Sequence, residues 1–93
     1  MADISIVQAH SLTPERAREA AQQVADKIAR EYGLACNWEG DVLRFERSGV
    51  TGALTLMPQQ AEMEINLGFL MGAFAPSIRA KVAEKMQRVF AAA

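Results

Sequence analysis

Between Leu34 and Gly68 apolar and polar residues alternate with a period of two, whereas on both flanks the apolar positions recur every three or four residues. The N-terminal flank predicts a helix from Thr13 to about Tyr32. Ala17, Ala20, Ala21, Val24, Ala25, Ile28, Ala29 and Tyr32 share one side, and Arg16, Glu19, Asp26, Lys27 and Arg30 share the other. Thr13, Pro14 and Glu15 form a start signal: a hydroxyl cap, a proline whose φ suits the first turn, and an acid at the positive helix end. Gly33 supplies the stop. A face made largely of alanine predicts close approach to a sheet.

Ahead of that helix, Ile4, Ile6 and Val7 suggest a strand ending near His10. In the alternating region Cys36 and Trp38 turn through Gly40-Asp41 into Val42 to Arg47, a hairpin in which Leu43 and Phe45 face one way and Arg44 and Glu46 the other. Ser48-Gly49 then leads into Val50 to Met57, and Pro58-Gln59-Gln60 into a strand where Met63, Ile65 and Leu67 alternate with Glu62, Glu64 and Asn66. Beyond Pro76, the stripe Ile78, Val82, Met86, Val89 and Phe90 predicts a closing helix. The expected architecture is α+β in the order β-α-β-β-β-α: one domain over residues 1–93, with a four-stranded antiparallel sheet and two helices on one face.

Composition narrows the function classes. Ninety-three residues, 51% hydrophobic and 23% charged, suit one globular domain with a thin core, for which a partner surface or a second copy is a natural source of stability. A net charge of −1 offers no field for nucleic acid. The total conceals an asymmetry: residues 1–75 carry 6 basic and 10 acidic side chains, and residues 76–93 carry 4 and 1. Lys81, Lys85 and Arg88 form a stripe on the last helix, as in helices that lie on anionic surfaces, although a solvated face complementing the helix C-terminus explains the same pattern. One cysteine and one histidine make no structural zinc site and suit a reducing cytoplasm. Residues 1–12 do not resemble a secretion signal, and the apolar run Leu67 to Ala75 is far below the roughly 18 residues of a membrane span.

Each candidate for chemistry has a plain structural reading. His10 and Ser11 are adjacent and point apart in a strand, so His10 reads as a strand-end residue bonding a loop carbonyl or a helix start. Cys36 reads as a small buried hydrophobe beside Trp38 rather than a thiolate. Glu62 and Glu64 have carboxylate spacing but no cleft, and read as a cross-strand ladder with Arg44 and Glu46. Gly49-Val50-Thr51-Gly52 lacks the lysine and helix of a phosphate loop. The stretch Gly68 to Phe74 reads as a strand end and turn folded under the last helix, or as an exposed apolar lip that docks on a partner.

The combination of His10-Ser11-Leu12 before an alanine-rich helix, Trp38-Glu39-Gly40-Asp41-Val42-Leu43-Arg44-Phe45, Gly49-Val50-Thr51-Gly52 and Leu67-Gly68 resembles the polyhydroxyalkanoic acid system proteins, over roughly Ile4 to Phe90. The resemblance implies a small bacterial protein associated with polyhydroxyalkanoate synthesis or granules, with no catalytic residue or cofactor to carry over. The shared positions His10, Trp38, Gly40, Asp41, Phe45, Gly49 and Gly52 admit structural roles in core and turns. The resulting expectation is a non-enzymatic cytoplasmic protein at polyester inclusions, docking on the inclusion surface or a granule protein through Phe69, Leu70, Met71, Phe74, Lys81, Lys85 and Arg88. Two alternatives stand beside it: a small-molecule or enzymatic cavity between sheet and helices, and a homodimeric interaction module using a free sheet edge.

Overall fold

The computed structural model describes residues 3–68 and 72–91. Thr13 opens the first helix, α1 (Pro14–Tyr32), with its hydroxyl accepting from the Arg16 amide at 3.3 Å. Gly33 closes it in the left-handed region at φ 68°, donating to the Ala29 carbonyl. Before α1 runs β1 (Ile4–Ala9). After it come β2 (Ala35–Glu39), β3 (Val42–Arg47), β4 (Val50–Leu56) and β5 (Gln60–Leu67), then a short 3-10 turn (Gly72–Phe74) and α2 (Ala75–Ala91).

The sheet has five strands in the order β1-β5-β4-β3-β2, all neighbours antiparallel, rather than the four expected. The difference lies at Gly40-Asp41. That two-residue turn reverses the chain completely, so Ala35–Glu39 is a full edge strand in register with β3, pairing Cys36 with Phe45 and Trp38 with Leu43. Strands β2 to β5 form the anticipated meander, and β1 adds to its far edge beside β5. Consecutive strands β1 and β2 therefore occupy opposite edges, and α1 carries the chain across the sheet between them.

Alternation puts one face of the sheet under the helices. Ile4, Ile6, Leu43, Phe45, Leu54, Met63 and Ile65 are buried there against Ala17, Ala20, Ala21, Val24, Ala25 and Ile28 of α1 and Ile78, Val82, Met86 and Phe90 of α2. The alanines let α1 sit low over β2, β3 and β4, while α2 packs beside α1 and over β1. The other face is open, and Ser5, Val7, Arg44, Glu46, Thr51 and Glu64 are exposed on it. The expected ladder of Glu62 and Glu64 with Arg44 does not form. Strand β4 lies between β3 and β5, so Ala53 separates Arg44 from Glu64 in the register, and Arg44 pairs with Glu39 at 2.8 Å instead.

Candidate functional site

Two surface features stand at opposite ends of the helical layer. The first gathers where α1 ends and α2 begins. Phe74 is 56% exposed and, with Tyr32, Ser77, Ile78 and Lys81, lines a hollow of about 330 Å³. The reading of Phe74 as folded under the last helix is thus corrected: the turn Gly72–Phe74 carries the ring outward, because α2 already fills the core with Ile78 one turn later. Phe69, Leu70 and Met71 lie outside the described residues.

Beside that hollow a cleft of about 180 Å³ runs between the helices, lined by Lys27, Glu31, Lys81, Glu84, Lys85 and Arg88. Lys27 pairs with Glu31 at 2.8 Å and Arg88 with Glu84 at 2.9 Å; Lys81 and Lys85 have no ion-pair partner among the described residues. The hydrogen bond from Lys27, reinforced by the positive charges of Lys27 and Lys81, holds the Glu31 carboxyl below its ordinary range. Burial pushes the Tyr32 phenol up, with a contribution from the Glu31 charge. The expected stripe of Lys81, Lys85 and Arg88 is therefore assembled, and α1 contributes Lys27, Glu31 and Tyr32 to it. Sequence periodicity places Lys27 on the polar side of α1, and only the packing of the two helices shows that this side borders α2.

Charge is sorted by layer. The first helix carries four basic and four acidic residues, the second four and one, and the strands with their connections two and six. The helical side is therefore positive and the sheet side negative, a polarity that the total of −1 hides.

The second feature is an apolar pocket of about 240 Å³ at the other end, lined by His10, Leu12, Pro14, Ala17, Asp41, Leu56, Met57 and Pro58. It opens where the end of β1, the start of α1 and the turns after β2 and β4 meet. His10 holds this end together. Its Nδ1 accepts from the Leu12 amide at 3.1 Å, so the neutral ring carries its proton on Nε2 and donates to the Met57 carbonyl at 3.1 Å. Its ring also lies 5.5 Å from that of Phe90. Both nitrogens are thus committed to backbone. Ser11 is exposed and makes no hydrogen bond with the ring.

Trp38 and the glycines at the shared positions make packing and turn contacts. Trp38 lies under the guanidinium of Arg18, 3.9 Å from the ring centroid, and donates to Gln22 at 2.8 Å; Arg18 in turn donates to the Gly40 carbonyl at 3.1 Å. Gly40 and Gly49 take positive φ in turns, and Gly52 faces Phe45 across β3 and β4. Cys36 departs from expectation: the residue is exposed on edge strand β2, because no further strand covers it, although its thiol reaches the Ala25 carbonyl at 3.9 Å. Burial of the sulfur pushes the thiol up, with help from the charge of Asp26. His10 follows β1 and Cys36 lies in β2, strands at opposite edges of the sheet, and the register sets Cys36 level with Ile4 rather than His10, so the two form no pair. Among the described residues no group of three or more metal-ligating side chains converges, and no helix is long and apolar enough to cross a membrane.

A family model described as "Putative polyhydroxyalkanoic acid system protein" matches residues 4–90, from the first residue of β1 to the last buried side chain of α2. No curated protein matches the chain.

Proposed function

The chain belongs to the polyhydroxyalkanoic acid system protein family, and from that membership we propose that it is a non-enzymatic accessory protein that docks on the polyester inclusion through its helical layer. The observation that supports docking is the placing of exposed Phe74 with Lys81 and Lys85, which have no ion-pair partner among the described residues, at the positive side of a charge-polarised domain. An aromatic ring beside lysines suits an amphiphilic boundary, where the ring enters the apolar phase and each ammonium near an anionic coat contributes about 1 kcal/mol. The acidic sheet side then faces away, which gives the domain one orientation on the inclusion.

The test is co-sedimentation with isolated granules at low and high salt. Wild type is expected to enrich at low salt and to be released at high salt. The Lys81→Glu/Lys85→Glu variant should lose most of the enrichment, and Phe74→Ser should lose the fraction that resists salt. Absence of wild-type enrichment, or enrichment unchanged in both variants, overturns the docking reading. Glu64→Gln on the open sheet face is the control that should bind as wild type does.

A further inference from the structure

The pocket at the His10 end is distant from the docking face, and its chemistry is of another kind. Leu12, Pro14, Ala17, Leu56, Met57 and Pro58 make its walls apolar. His10 borders it without a free ring nitrogen, since both are bound to backbone. The first turn of α1 adds little anion-binding capacity: Pro14 has no amide hydrogen, the Arg16 amide is taken by Thr13 Oγ1, and the Ala17 amide by the Thr13 carbonyl. Asp41 is the one acidic residue lining the pocket, and it is exposed. An occupant must therefore be apolar over most of its length, uncharged or positive, and able to donate a hydrogen bond. A volume of 240 Å³ holds about eight waters, so the occupant is short.

We propose that this pocket binds a neutral hydroxyalkyl ester, with the alkyl chain along Leu12, Ala17, Leu56 and Met57 and the hydroxyl donating to Asp41. The choice of a neutral hydroxyalkanoate ester over other short alcohols or amines rests on membership of the polyhydroxyalkanoic acid system family; the requirement for an uncharged or positive donor rests on the pocket alone. The free hydroxy acid is disfavoured, because its carboxylate meets the Asp41 charge in a site with no cation among its lining residues.

The test is titration of the ¹⁵N-labelled protein with three probes: methyl 3-hydroxyhexanoate, methyl hexanoate, which lacks the hydroxyl, and free 3-hydroxyhexanoate. The hydroxy ester should shift the amides of Leu12, Ala17, Asp41 and Met57 saturably, while the other two probes need at least tenfold higher concentration for half-saturation. Asp41→Asn keeps a residue suited to the turn and removes the charge, so it should narrow the gap between free acid and ester to threefold or less. Met57→Trp should block the mouth and abolish the shifts while leaving the rest of the spectrum in place. The proposal is overturned if these amides show no saturable shift up to the ester's solubility, if methyl hexanoate binds as tightly as the hydroxy ester, or if wild type binds the free acid as tightly. No granule is present in this titration, so its failure and the failure of docking through Lys81 and Lys85 are read separately.

Discussion

The Nε2 proton of His10 is donated to the carbonyl of Met57, 3.1 Å away and 47 residues along the chain. This bond joins the end of β1 to the turn after β4, and the Leu12 amide on Nδ1 joins the same ring to the approach of α1. His10→Ala leaves one donor and one acceptor without their partner and removes the ring packed on Phe90. The expected loss is about 1–3 kcal/mol, read as a lower urea midpoint with an unchanged slope. An unchanged midpoint would show that water replaces the ring at no cost.

Trp38 is the protein's single tryptophan, so its fluorescence reports directly on the lid formed by Arg18. Removing the guanidinium with Arg18→Ala should red-shift the emission as water reaches the ring. Stability should fall by about 0.5–1 kcal/mol, the range of an exposed cation–π contact. Arg18→Lys should restore only part of both, because it lacks the planar group that stacks on the indole. Emission identical to wild type in Arg18→Ala would sink this assignment.

The glycines Gly40 and Gly52 should respond in opposite ways to a side chain. A Cβ on Gly52 would sit 3.0 Å from the Glu64 carbonyl of β5 and 3.5 Å from the Phe45 ring. Gly52→Ala therefore strains the β4–β5 pairing, at about 1–3 kcal/mol in thermal or urea unfolding. Gly40 has open space around it and φ of +62°, which asparagine also adopts, so Gly40→Asn should cost less than 1 kcal/mol, a small loss in the scale of turn substitutions. Equal losses for the two would refute the close-approach account.

Because burial first, and the charge of Asp26 second, push the Cys36 thiol up, less of it is thiolate near pH 8 than for cysteine in the unfolded chain. Iodoacetamide should therefore modify the native protein more slowly than the urea-unfolded protein, with the ratio shrinking as pH rises through the native titration. The sign for stability follows: the contribution is complete below the unfolded thiol's pKa and declines as pH rises above it. Asp26→Asn should speed native alkylation. Faster alkylation of the native than of the unfolded protein would contradict the assignment.

Much of the layer architecture can be read from spacing. The alanine stripe of α1, its Thr13 and Gly33 ends, and the alternation from Leu43 to Leu67 each follow from local chemistry that the fold preserves. The fifth strand was visible as Cys36-Asn37-Trp38 but too short to separate from its hairpin by alternation alone. The basic stripe Lys81, Lys85 and Arg88 of α2 is legible because it recurs on one helix. Lys27, Glu31 and Tyr32 were not, since their proximity to α2 depends on how two helices pack on a sheet. The pocket is least legible: Leu12 and Pro14 lie more than 40 residues from Leu56, Met57 and Pro58 in the chain, and no pattern within either segment marks them as neighbours.

The placement of β1 at the edge beside β5 also sets an order of events during synthesis. Strands β2 to β5 can pair with their sequence neighbours as each emerges, whereas Ile4 must wait for Ile65 and Ala9 for Gln60. The first strand made is among the last to be seated, held until then as an unpaired apolar segment ahead of α1. Residues Ile4 and Ile6 are thus the part of the nascent chain with the longest exposure before burial.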